Sequence, residues 1–128
     1  MNADSNPEIR SLASGIRSVA MVFVLILSYF SARLAFQINY FGFIFTDMLG
    51  GKPLPNMTTF VIQNNIIFVL LSLLVPVAAI VIVLAVRNHR NALFSLSALM
   101  IIAFLQMHVV WSALFAPFYS IIAGMRGE

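Results

Sequence analysis

Long apolar runs and short polar breaks divide this chain, and nowhere do apolar and polar residues alternate as they would along a half-buried strand. The first run begins after Arg17 and reads SVAMVFVLILSYFSARLAFQI, with one charge, Arg33, inside it. The second follows the polar segment TDMLGGKPLPNMTT and ends at Val86, and from Ile66 to Val86 it holds no charged residue. The third starts after the turn RNHRN and continues from Ala92 to Gly124 without Asp, Glu, Lys or Arg. A helix rising ~1.5 Å per residue needs about 20 residues to cross the hydrocarbon of a bilayer, and each run is long enough. The pattern therefore predicts an all-α integral membrane protein. Its three transmembrane helices fall at about 18–40, 60–86 and 92–122, with a short N-terminal tail and an outer loop over 46–59. The whole chain, 1–128, reads as one domain.

Helix-breaking residues refine the picture. Gly50 and Gly51 precede Pro53 and Pro55, so that stretch is a turn. Pro76 lies mid-way through the second span and is expected to kink it, because it removes one backbone hydrogen bond. Pro117 is expected to bend the third helix near its outer end, where Trp111 and Tyr119 read as interfacial aromatics.

Composition closes off the soluble alternative. Of 128 residues 62% are hydrophobic and 9% charged, against roughly a quarter charged in an average soluble domain. A body this small cannot hide so much apolar surface from water. No cysteine is present, which excludes disulfides, thiolate metal ligands and cysteine nucleophiles.

The net charge of +3 is scattered at the ends of apolar runs, as topology signals are, and not clustered with aromatics as in nucleic-acid binders. Arg87 and Arg90 in the RNHRN turn and Arg10 and Arg17 in the tail would face the cytoplasm. Only Lys52 and Arg126 fall on the opposite side. This places the N-terminus inside and the C-terminus outside. The first span reads as an uncleaved signal anchor, since no A-x-A site follows it. Asn56-Met57-Thr58 fits a glycosylation sequon, a triplet short enough to occur by chance.

Polar side chains at membrane depth are costly and are the default functional candidates. Arg33, Gln37, Gln63 and His108 all fall in the outer half of the bilayer and form the candidate intramembrane polar cluster. On the first helix Tyr29, Arg33, Gln37 and Tyr40 share one face, and Ser28, Ser31, Ala32, Ala35 and Asn39 share the opposite, small one, suited to close helix packing. Arg33 can snorkel to phosphate, with Asp47 as a candidate ion partner. Gln106 and His108 point to opposed faces of the third helix. His108 could serve a proton relay or a metal, but no Asp or Glu inside any span would complete a relay, so a hydrogen-bonded histidine is the simpler reading. Gln63, Asn64 and Asn65 read as helix-start residues. Neither paired carboxylates nor H-E-x-x-H, G-x-S-x-G or a Gly-rich phosphate loop is present. The expectation is a protein without enzymatic activity, catalytic residues, metal or cofactor.

Around the outer loop, the run Ile44-Phe45-Thr46-Asp47-Met48, then Leu54-Pro55-Asn56-Met57-Thr58, then Phe60-Val61-Ile62 resembles the membrane hairpin of the F-type inner-membrane platform proteins of bacterial type II secretion and type IV pilus machines. The resemblance covers roughly residues 20–86 and rests on a Leu-Pro-x-x-Thr motif between two spans. A short tail and the RNHRN turn stand where that family has cytoplasmic helical domains. The resemblance implies a bacterial inner-membrane location and the hairpin, not secretion activity. The expected function is that of a small structural or accessory subunit of an inner-membrane complex. The alternative is a small oligomeric transporter or pore, including a holin-like one. Expected partners are the lipid bilayer and either copies of the chain itself or another membrane subunit, with no nucleic acid.

Overall fold

The computed structural model describes residues 6–127. The described residues form α1 (Pro7–Met48), α2 (Asn56–Gln63), α3 (Asn65–Ala85) and α4 (His89–Met125). Helices α1, α3 and α4 are long and apolar enough to cross a membrane.

Several boundaries differ from those that hydropathy alone predicts. Helix α1 starts at Pro7, not near residue 18, because Asn6 caps it: the Asn6 side chain accepts from the Glu8 N–H at 3.0 Å, with proline in the first turn. At 42 residues it is ~63 Å long, about twice the depth of a hydrocarbon core. It also runs on to Met48, and the break predicted for 46–59 shrinks to the stretch between Met48 and Asn56. Gly50 (φ 58°) and Gly51 (φ 87°) carry the chain out of the helix in the left-handed region that glycine tolerates. Most of the RNHRN turn is likewise helical, because the Asn88 side chain accepts from the Arg90 N–H at 3.0 Å and starts α4 at His89.

The segment predicted as one helix over 60–86 is two. Asn64 breaks it at φ −107°, ψ 23°, its side-chain amide donating to the Phe60 carbonyl at 2.8 Å. Asparagine competes with the backbone for its own hydrogen bonds, which suits helix junctions. Pro76 and Pro117 lie within continuous helices.

The topology is up, down, up. Helix α1 packs along both α3 and α4, which touch each other less. Phe45 near the end of α1 meets Phe118 near the end of α4, ring centroids 5.1 Å apart, so these two helices are parallel. Buried positions follow a heptad-like 3–4 spacing on every helix: Val24, Ser28, Ser31, Ala35, Ile38, Gly42 and Phe45 on α1; Ser72, Val75 and Ala79 on α3; Ala103, Gln106, Val110, Ala113 and Pro117 on α4. That is the spacing of knobs-into-holes packing in left-handed bundles. Ser28, Ser31 and Ala35 of the small face read on α1 lie on this seam, whereas Ala32 is half-buried and Asn39 exposed. Gly42 admits α2 closely, since a Cβ there would lie 3.1 Å from Ile62 Cδ1.

Candidate functional site

The seams contain two apolar clusters and a polar layer between them. Toward the end that carries Arg10, Arg87 and Arg90, the core is Val24, Val75, Ala79, Leu96 and Ala103. Toward the other end it is Ala35, Ile38, Val61, Val110, Ala113 and Leu114. Between them α1 contributes Ser28 and Ser31, α3 Ser72 and α4 Gln106 at seam positions, each at most 5% exposed; Ser28 Oγ is without a partner, and the other three join. The Gln106 amide donates to Ser72 Oγ at 2.6 Å and to the Phe68 carbonyl at 2.7 Å. Ser72 in turn lies 3.2 Å from Ser31 Oγ and donates back to Phe68 O at 2.8 Å. One connected network thus ties three helices at one height. Hydroxyls and an amide exchange hydrogen bonds without titrating near neutrality, so the layer ties the register of the three helices without adding a charge.

Two further contacts close the bundle at its ends. Arg17, nine-tenths buried, donates from its guanidinium to the carbonyls of Ile82 (3.1 Å) and Val83. These are among the last four carbonyls of α3, where helical donors run out: Ile82 O still accepts the Val86 N–H at 3.0 Å. The positive charge also meets the negative end of the helix dipole. At the opposite end Thr58 Oγ1 donates to the Ala113 carbonyl at 2.6 Å. Ala113 is four residues before Pro117, which has no N–H to give it. The hydroxyl of α2 supplies the missing donor, and the Thr of the apparent sequon is buried in this role.

The four candidate residues lie elsewhere. Arg33, Gln37, Gln63 and His108 are all exposed on the outer surface, and the hydrogen bonds crossing between helices run through other side chains. Height, however, relates two of them. Arg33 follows Ser31 by two residues and His108 follows Gln106 by two, so both stand ~3 Å beyond the polar layer on parallel helices. Gln37 lies one turn further along α1, and Gln63 ends α2. Asp47 is on the same helix as Arg33, ~21 Å along its axis, too far for an ion pair within the chain. Gln106, on the face of the third span opposed to His108, turns its amide N–H groups into the bundle, while its Oε1 is buried without a partner.

No protein-family model, curated protein or solved structure matches the chain.

Gln106→Leu is expected to cost only about 1 kcal/mol, because hydrogen bonds between membrane helices average ~0.6 kcal/mol. The substitution leaves Phe68 O with the Ser72 hydroxyl and removes the Gln106 Oε1, which is buried without a partner. Unfolding in mixed detergent micelles measures this. A loss above ~3 kcal/mol would mean that the layer carries more than register.

Proposed function

We propose that the chain is a small multi-pass subunit, structural or accessory, of a bacterial inner-membrane complex, with its N-terminus inside and without enzymatic activity. One observation carries the reading: His108 is exposed in the middle of α4, 19 residues after His89 and 17 before Met125. At ~25 Å or more from either helix end, a short imidazole cannot snorkel as lysine and arginine do. A polar group on the hydrocarbon-facing surface seeks a hydrogen-bond partner, and the chain's own polar layer is already occupied by Ser31, Ser72 and Gln106. A neighbouring helix, from a second copy or another subunit, supplies that partner.

The surroundings suit an interface. Trp111, half exposed, stacks near Phe115 one turn along α4, ring centroids 4.5 Å apart, and aromatics give rigid contact area. On α1, Tyr29 and Phe36 flank exposed Arg33. The resemblance of residues 20–86 to the platform-protein hairpin supports the inner-membrane setting. The tightly packed seam, with Val24, Ile38, Ala79, Leu96 and Val110 at 0% exposure, weighs against a pore through a single chain.

The test is the mass of the protein extracted in a mild detergent, wild type beside His108→Leu. The expected result is a wild-type assembly larger than one chain that shifts toward monomer in the variant, with no loss of membrane potential on expression. A wild-type monomer at every concentration, with the variant equally stable, refutes the interface. Collapse of the membrane potential assigns a pore instead.

A further inference from the structure

Three arginines from two distant segments of the chain gather at one end of the bundle. Arg10 on α1 and Arg87 and Arg90 at the α3–α4 junction line a recess of about 930 Å³, together with Asn88, His89 and the apolar Ile9, Ala13 and Leu93. Among the described residues no carboxylate lines it. The first turn of α4 opens into it through Asn88, His89 and Arg90, so the positive end of a 37-residue helix adds to the arginine charge. His89 Nδ1 is buried with no hydrogen-bond partner. One turn deeper than Ala13, Arg17 is nine-tenths buried and its Nε is also without a partner. Like charges gathered without an acid repel one another, and an anion relieves that repulsion.

We propose that this recess binds the phosphate group of an anionic lipid headgroup. Guanidinium groups match phosphate oxygens in pairs of parallel hydrogen bonds, and three of them around one recess favour a phosphate over a carboxylate. The lining is half apolar, which fits a headgroup still attached to its glycerol and acyl chains better than a free ion. Arg17 on the carbonyls of Ile82 and Val83 places the recess just beyond the last turn of α3, where that 21-residue helix leaves the hydrocarbon and headgroups begin. Basic pockets at membrane-helix ends recognise lipid phosphates by this combination of charge and depth. The proposal rests on the membrane reading above but not on the subunit reading, whose mass test uses no added lipid.

The experiment is native mass spectrometry of the full chain in neutral detergent, titrated with phosphatidylglycerol, with phosphatidylcholine, or with inorganic phosphate alone. The variants are Arg10→Gln/Arg87→Gln/Arg90→Gln and, as a control at the opposite end, Lys52→Gln/Arg126→Gln. Wild type and control are expected to retain phosphatidylglycerol over phosphatidylcholine, and the triple variant to lose more than about tenfold in that preference. Millimolar inorganic phosphate should not displace the lipid. Equal retention of both lipids by wild type, equal loss in the control, or an unchanged triple variant overturns the proposal. Displacement by inorganic phosphate overturns its lipid source and leaves a free-anion site. Circular dichroism of the triple variant confirms that helix content, and hence the fold, survives.

Discussion

Thr58→Val destabilises the bundle by about 2 kcal/mol, and Pro117→Ala removes most of that cost. Valine keeps the shape of threonine but has no hydroxyl, so the Ala113 carbonyl loses its 2.6 Å donor. Thr58 and Ala113 are each 1% exposed, so water does not replace the lost bond, and an unpaired buried polar group costs ~1–3 kcal/mol. The cost exists because Pro117 cannot donate to Ala113. With alanine at 117 the backbone N–H returns, the helix satisfies the carbonyl, and the hydroxyl becomes dispensable. In the Pro117→Ala background Thr58→Val should cost less than ~1 kcal/mol, a coupling of at least ~1 kcal/mol between the two positions. Unfolding of the four proteins in mixed micelles gives the cycle. Additive effects would show that threonine and proline act independently.

Arg17→Met costs about 2 kcal/mol and frays the end of α3, whereas Arg17→Lys keeps part of the stabilisation. The guanidinium makes charge-assisted bonds to Ile82 O and Val83 O, a class worth ~1.5–3 kcal/mol each. Its unpartnered buried Nε and its own desolvation offset part of that gain. Methionine keeps the apolar stem and removes the charge, so packing loss stays small. Lysine keeps the charge but not the planar fork. The helix end gives a second readout: the Val86 N–H donates to Ile82 O at 3.0 Å, and its hydrogen exchange should speed up in the methionine variant. Unchanged stability together with unchanged exchange at Val86 would remove Arg17 from the cap.

How far the candidate site was legible follows from what polarity reveals in spans this apolar. Gln106 stands out as a polar residue in a charge-free span, but nothing in its neighbours says whether it faces the bundle or the bilayer. Heptad position decides: Gln106 falls on the 3–4 seam of α4 and His108, two residues on, cannot. Ser31 and Ser72 carry a weaker signal, because a serine in a helix also satisfies itself against its own backbone, as Ser97 does on Leu93 O. Thr58 was visible only as part of a sequon and of the Leu-Pro-x-x-Thr motif, neither of which points to a carbonyl on α4. The spacing of Pro117 from Ala113 names the carbonyl in need of a donor, but which side chain answers depends on the return of α2 against α4.

The sequence by itself determined the all-helical class, the three spans long and apolar enough for a membrane, and the gathering of basic residues near two chain segments. It also held the true starts of α1 and α4, in the caps Asn6 and Asn88, although hydropathy places those starts several residues later because caps are polar and lie outside the apolar run. Only the tertiary structure decided which faces are inside. In water, burial writes itself into the sequence as an apolar stripe, since the outer face must be polar. Where the surroundings are as apolar as the core, that contrast vanishes: Phe43 at 77% and Leu84 at 80% exposure are as hydrophobic as Phe45 and Leu96 at 0%. Side-chain size and shape, read out only when helices meet, then choose the seam. The same meeting brings Arg10 to Arg87 and Arg90, and joins Ser31, Ser72 and Gln106 into one layer.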